Sequence, residues 1–170
     1  RNPELGFTEL RTASVVAERL QGLGFDVSMG PQVMHAPDML GVPDARTLER
    51  RADDLRGDNV VQSWLARMPQ GQTGVVATFS KDAGPVSAYR FDMDALPLHE
   101  ADEAGHRPVD ESYVSLRAGV HHACGHDGHT AIGLGFAEWL ADKGSDWSGT
   151  AKLVFQPAEE GGRGAAPMAS

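Results

Sequence analysis

Hydrophobic positions recur at helical spacing over Phe7–Leu23, where Leu10, Ala13, Val16, Ala17, Leu20 and Leu23 share one face. Thr8 is placed to cap the start of this helix and Gly24 its end. Phe25–Met29 alternates as a short strand, and Pro31–Pro43 is rich in turn residues. Asp44 then caps a polar helical stretch, Ala45–Met68, expected to break near Gly57. Its charged first half reads as solvated, while Val60, Val61, Trp64 and Leu65 are free to dock. Residues 31–70 as a whole read as a largely helical insertion between elements that would otherwise be neighbours.

Beyond it, Thr73–Phe79 and Val86–Phe91 read as strands with Asp82–Pro85 as the turn between them. The second reads as buried, interrupted by Arg90. Pro97–Val120 is loop-like, with Tyr113 its one aromatic. An apolar run, Ala131–Leu140, predicts a helix over His129–Lys143, and Thr150–Phe155 predicts a final strand followed by a loop, Gln156–Gly164. Trp64, Trp139 and Trp147 read as packing residues. Strands with intervening helices favour a layered α/β domain.

Composition narrows the function. The 170 residues suffice for one domain with a core. A net charge of −9 argues against a nucleic-acid footprint. No apolar run approaches the roughly 18 residues of a membrane span, and no basic start leads into an apolar leader. The single cysteine excludes an internal disulfide and fits a reducing, cytoplasmic setting. The chain opens without methionine, on Arg1-Asn2-Pro3-Glu4, and closes as a glycine-led helix begins, so it reads as a piece of a longer protein.

Chemistry concentrates in His121–Thr130, HHACGHDGHT, which holds the only cysteine and four of the seven histidines. Thiolate, imidazole and carboxylate are the side chains that bind zinc and similar divalent ions. Cys124 and His126 are two apart, which on an extended segment places both on one face, and Gly125 lets the backbone turn closely around an ion. Glu159-Glu160 follows a strand, and adjacent carboxylates repel unless a cation or proton lies between them. One can bind metal while the other takes a proton from water, a division suited to metal-assisted hydrolysis. Asp92-Met93-Asp94 follows another strand, and an aspartate there can orient a ligating imidazole. All three clusters fall where α/β sheets build sites, outside the carboxyl ends of strands. His35, His99 and His106 lie in polar loops and read as solvent-facing. The glycines of Gly161–Gly164, GGRG, do not directly follow the strand as a nucleotide loop requires.

NPELGFTE (2–9), TGVVATF (73–79), FDMDALPLHE (91–100), HHACGHDGHTA (121–131) and LVFQPAEEGGRGA (153–165) resemble, in order, the metal-dependent amidohydrolase family of metallopeptidase type that contains aminoacylases, hippurate hydrolases and plant indole-acetyl-amino-acid hydrolases. The resemblance implies a three-layer αβα zinc-peptidase-like catalytic domain, here its N-terminal part without the family's dimerisation domain. It implies two divalent ions, zinc or manganese, with Cys124, His126 and Glu160 as ligands and Cys124 bridging. Glu159 matches the general base, and Asp92 the residue that orients the metal cluster, with Arg90 where sister branches carry a ligating histidine. His121 stands where the family usually has methionine, an imidazole able to compete as a ligand. The substrate class implied is a small N-acyl amino acid. RTASVVAERL (11–20), LGVPDARTLERRADDLRG (40–57) and DEAGHRP (102–108) resemble the branch that cleaves p-aminobenzoyl-glutamate beside a homologous partner subunit. Two further family histidines belong downstream of Ser170, so the expectation is that these residues alone are inactive.

Rival readings are a phosphatase using the D-x-D, a structural or redox zinc module, and a homologous subunit without catalysis. Leu96 stands where the phosphatase pattern needs Thr or Val, and one cysteine is too few for the zinc module.

Overall fold

The computed structural model describes residues 1–143 and 147–170. The first helix, α1, spans Leu10–Gly22. Thr8 does not cap it; its hydroxyl turns back to the Leu5 carbonyl at 2.7 Å. The first-turn amides of Arg11 and Thr12 instead donate to the Glu4 carboxylate, at 3.0 and 2.7 Å. Glu4 is fully buried and takes the Arg51 guanidinium at 2.6 Å. An ion pair removed from water stands only when such further hydrogen bonds satisfy it.

Strand β1 (Asp26–Met29) leads into the helical stretch, which forms two helices, α2 (Ala45–Asp54) and α3 (Asn59–Trp64). Asp44 caps α2 through the Thr47 amide as expected, and Asp58 caps α3 through the Val60 and Val61 amides, so the break falls at a second cap. Val61 and Trp64 are buried, and the Trp64 indole N–H donates to Glu18 of α1 at 2.7 Å.

Strands β2 (Val75–Lys81), β3 (Val86–Asp92) and β4 (Gly149–Gln156) complete a mixed sheet in the order β1-β2-β4-β3. The turn between β2 and β3 does not close a hairpin. β4 lies between them, antiparallel to β2 and parallel to β3, and the turn passes over its first residue. Only glycine fits there: a Cβ on Gly149 would stand 2.3 Å from the Pro85 carbonyl oxygen. β3 is consequently an edge strand, not a buried one; Val86 and Tyr89 are exposed.

The helices α5 (His126–Asp142) and α1 pack on one face of the sheet, over Val75, Ala77, Ala151, Leu153 and Phe155. Burying each large apolar side chain here contributes roughly 1.5–3 kcal/mol. The other face, carrying Val76, Val154 and Lys152, is bordered by the loop at 31–37 and the short α6 (Ala165–Ala169). One further short helix, α4 (Arg107–Asp110), interrupts the loop after β3. Trp139 is half exposed, stacked on Phe136, and not the packing residue its type suggests. Among the described residues no helix is long and apolar enough to cross a membrane.

Candidate metal and hydrolytic site

Because β3 and β4 are parallel, with Asp92 opposite Gln156, their carboxyl ends open at the same rim, and α5 starts there too. Asp92 ends β3; both it and Asp94 are buried. The Asp94 carboxylate accepts the Glu159 amide at 3.0 Å and the Glu160 amide at 3.1 Å, which fixes the loop after β4. Nδ1 of His126 faces the Asp94 backbone oxygen at 3.0 Å and its carboxylate at 3.2 Å. Two acceptors there place the proton on Nδ1 and leave Nε2 with its lone pair toward the rim. Nε2 lies 3.7 Å from Asp92, 3.8 Å from Glu159 and 3.9 Å from Glu160.

Donor atoms of Cys124, His126 and Glu160 lie within 4.8 Å of one another, as do those of Asp92, His126 and His129. The first trio joins residues up to 36 positions apart in sequence, with Glu160 on the loop after β4 and a left-handed turn between Cys124 and His126. Gly125, at φ 83°, precedes His126, the first residue of α5. The turn, not an extended strand face, brings thiol and imidazole together. The helix thus begins three residues earlier than its apolar pattern indicates, putting His126 and His129 in its first turn.

The orienting contact to His126 Nδ1 comes from Asp94, two residues beyond the aspartate that the sequence resemblance indicates. Asp92 faces the other side of the ring and receives His129 Nδ1 at 2.5 Å and Arg90 at 3.1 Å. Burial opposes ionisation of Asp92, but the His129 hydrogen bond and the neighbouring His126, His129 and Arg90 charges hold its carboxyl below the usual range.

Two observations fit a cation. Glu160 Oε1 is buried without a hydrogen-bond partner. The Cys124 thiol is pushed up, chiefly through its hydrogen bond with the Glu160 carboxylate, then by desolvation and by the charges of Glu160, Glu159 and Asp92. Crowded carboxylates that disfavour a thiolate become favourable neighbours of a divalent ion.

Behind the loop stands Glu9, which sequence inspection passes over. Fully buried, it accepts the Ala158 amide at 2.8 Å and the Thr73 hydroxyl at 2.7 Å. Ala158 holds φ 47°, a left-handed conformation costly for a residue with a side chain. Burial raises the Glu9 carboxyl to a pKa of about 8, against the hydrogen bonds that lower it. His121 sits in a β-bridge with Leu96 and belongs to neither trio. His35 pairs with Asp38, His106 with Glu100, and His99 is exposed.

Residues 88–170 match peptidase family M20/M25/M40. The chain is 47% identical over 166 residues to one of the subunits of p-aminobenzoyl-glutamate hydrolase from Escherichia coli (strain K12), covering 97% of this chain and 38% of that protein. The chain belongs to the M20 family. Another relative, indole-3-acetyl-aspartic acid hydrolase of Enterobacter agglomerans, is 46% identical over 97% of the chain and 38% of its own length. Among solved structures, an aminobenzoyl-glutamate utilization protein from Klebsiella pneumoniae superposes with a TM-score of 0.77 at 38% identity, over 98% of this chain and 36% of that one. A Bacillus subtilis protein described as a dinuclear metal binding M20 peptidase gives 0.64 at 30% identity, over 98% of this chain and 34% of that one. The chain therefore spans little more than a third of the length of these proteins.

Proposed function

We propose that the protein carrying this sequence hydrolyses the amide of a small N-acyl amino acid, p-aminobenzoyl-glutamate foremost, giving p-aminobenzoate and glutamate. The observation that carries this is the convergence of Cys124, His126 and Glu160, with the free carboxylate of Glu159 beside them. Cys124, His126 and Glu160 would hold divalent cations, zinc or manganese. Such ions supply Lewis acidity for the amide carbonyl and for the attacking water. Cysteine favours zinc and the carboxylates manganese.

Glu159, more exposed than Glu160, takes the proton of that water and passes it to the amide nitrogen as the C–N bond breaks. Asp94 holds His126 in the ligating tautomer and pins both glutamate amides. Asp92 anchors His129 and supplies negative charge beside His126. Three donors match the protein share of one catalytic zinc, whereas a pair needs more; we accordingly expect the 170 residues alone to give no turnover. The subdivision follows the same lines: a catalytic segment with a helical insertion at about 31–70. A homologous partner subunit or a second copy completes the assembly, and the single free cysteine suits the cytoplasm.

The test is hydrolysis of p-aminobenzoyl-glutamate by the full-length protein with Zn²⁺ or Mn²⁺, with and without its homologous partner. Turnover of hippurate or indole-acetyl-aspartate in its place would shift the acyl specificity within the family. Cation binding without turnover of any amide would indicate the non-catalytic subunit.

A further inference from the structure

The Gly161–Gly164 segment is no phosphate loop, and the structure points to another use for it. Gly161 and Gly162, at φ 79° and 69°, wind the chain so that the Arg163 side chain turns back onto the carboxylate loop. Its Nε donates to the Glu160 carbonyl at 3.1 Å, and Nη1 donates to the Gly41 carbonyl at 3.1 Å. The guanidinium also lies 5.5 Å over the Phe7 ring. A Cβ on Gly6 would come within 2.8 Å of both Arg163 Nη2 and the Ala158 side chain, so that glycine makes room for the arrangement. Gly164 packs so closely that a Cβ would meet the Pro157 oxygen at 1.6 Å.

We propose that Arg163 is a positioning residue. It holds Glu160 from its carbonyl side, opposite the Asp94 grip on its amide, and couples the loop to the Gly41 turn. Lysine cannot replace it, because one ammonium lacks the planar fork that reaches two carbonyls at once. The inference rests on the hydrolase reading, since its consequence is where the Glu160 carboxylate stands relative to Cys124.

The experiment uses the full-length protein with wild-type, Arg163→Lys, Arg163→Ala and Gly6→Ala chains. Mn²⁺ affinity by equilibrium dialysis, kcat and KM on p-aminobenzoyl-glutamate, and thermal unfolding are read together. Residues that support metal ligands typically change affinity about 10–100-fold when lost. Arg163→Ala is therefore expected to weaken Mn²⁺ binding at least tenfold and to lower kcat with KM within about twofold. Arg163→Lys should recover less than half of that loss. Gly6→Ala, which displaces the same guanidinium from the other side, should weaken Mn²⁺ binding in the same direction. Unchanged Mn²⁺ affinity and kcat in folded Arg163→Ala or Arg163→Lys protein, whatever the melting temperature, overturns the proposal alone. A wild-type protein that binds no Mn²⁺ and cleaves no amide overturns the hydrolase reading beneath it.

Discussion

The Asp94 carboxylate reaches Nδ1 of His126 at 3.2 Å while taking the amide of Glu159 at 3.0 Å, so one buried side chain sets both halves of the site. It faces donors on every side. Asp94→Asn turns one acceptor oxygen into an NH₂ that confronts either an amide or the ring N–H. Leaving a buried donor unpaired costs about 1–3 kcal/mol. The expected outcome is a lowered melting temperature together with cation affinity reduced roughly 10–100-fold. Calorimetric titration of the folded variant with Zn²⁺ checks it; wild-type affinity would mean that Asp94 has no orienting role.

The two glutamates should separate cleanly. Glu159 is the more exposed, whereas Glu160 contributes a buried, unpartnered oxygen to the Cys124 trio. In the full-length protein, Glu159→Gln should keep its cation and lose about 10²–10⁴ in kcat. Glu160→Gln should lose cation affinity first, with activity partly recovered at high cation concentration. Metal content by mass spectrometry alongside kcat decides, and the opposite pattern would exchange the two roles.

Cation binding should expel a proton. The carboxylates crowding Cys124 hold its thiol protonated, above the ordinary range, at neutral pH, and a cation requires the thiolate. Titrating the protein with Zn²⁺ in weak buffer should release acid, and Cys124→Ser should reduce that release. Adding a chelator should return the thiol to slow, pH-dependent alkylation. Proton release unchanged in Cys124→Ser would remove the sulfur from the ligand set.

Much of the candidate site is legible in the sequence because metal chemistry uses few residue types: Cys124 and His126 stand out by composition just before a helix, and Glu159 and Glu160 by their place after a strand. Other parts are not, and the reasons are physical. Asp92 and Asp94 look alike in a D-x-D; only the fold, which ends β3 at Asp92 and brings the loop after β4 against Asp94, decides which one faces the Glu159 and Glu160 amides. Glu9 and Glu4 appear as ordinary surface carboxylates, since burial of a charge-bearing residue depends on contacts 149 and 47 positions away. The Asp82–Pro85 turn joins two strands that do not pair, and this is hidden because local pattern says nothing of a third strand entering between them. α5 begins earlier than its apolar run because its first turn is spent on ligand-type residues.

Packing of α5 on the sheet offers a test outside the site. Gly133 lies where an added Cβ would stand 2.8 Å from the rings of both Phe91 and Phe155. Helix propensity alone favours Gly133→Ala by about 1 kcal/mol. Two rigid rings packed at 5.2 Å leave little room to give, and overpacking of this kind costs about 1–3 kcal/mol. The net expectation is a lower melting temperature. A rise would show that the helix shifts outward on the exposed edge strand with little penalty.

Glu9 makes the stability depend on pH in the direction opposite to most carboxylates. Its pKa in the fold is about 8, raised from 4.5, chiefly by burial. The folded state therefore keeps a proton that the unfolded chain gives up above pH 4.5. Stability from this group is complete below that value, falls as pH rises, and levels off past pH 8. At 1.36 kcal/mol per unit, the loss by pH 7 is roughly 3 kcal/mol. Glu9→Gln keeps a carbonyl acceptor for the Ala158 amide without the ionisation. Denaturant unfolding of both proteins between pH 5 and 8 should show the wild type losing stability relative to the variant as pH increases. Parallel curves across that range would mean that Glu9 ionises in the fold as easily as in the open chain, and that the loop bearing Glu159 rests on a charged carboxylate.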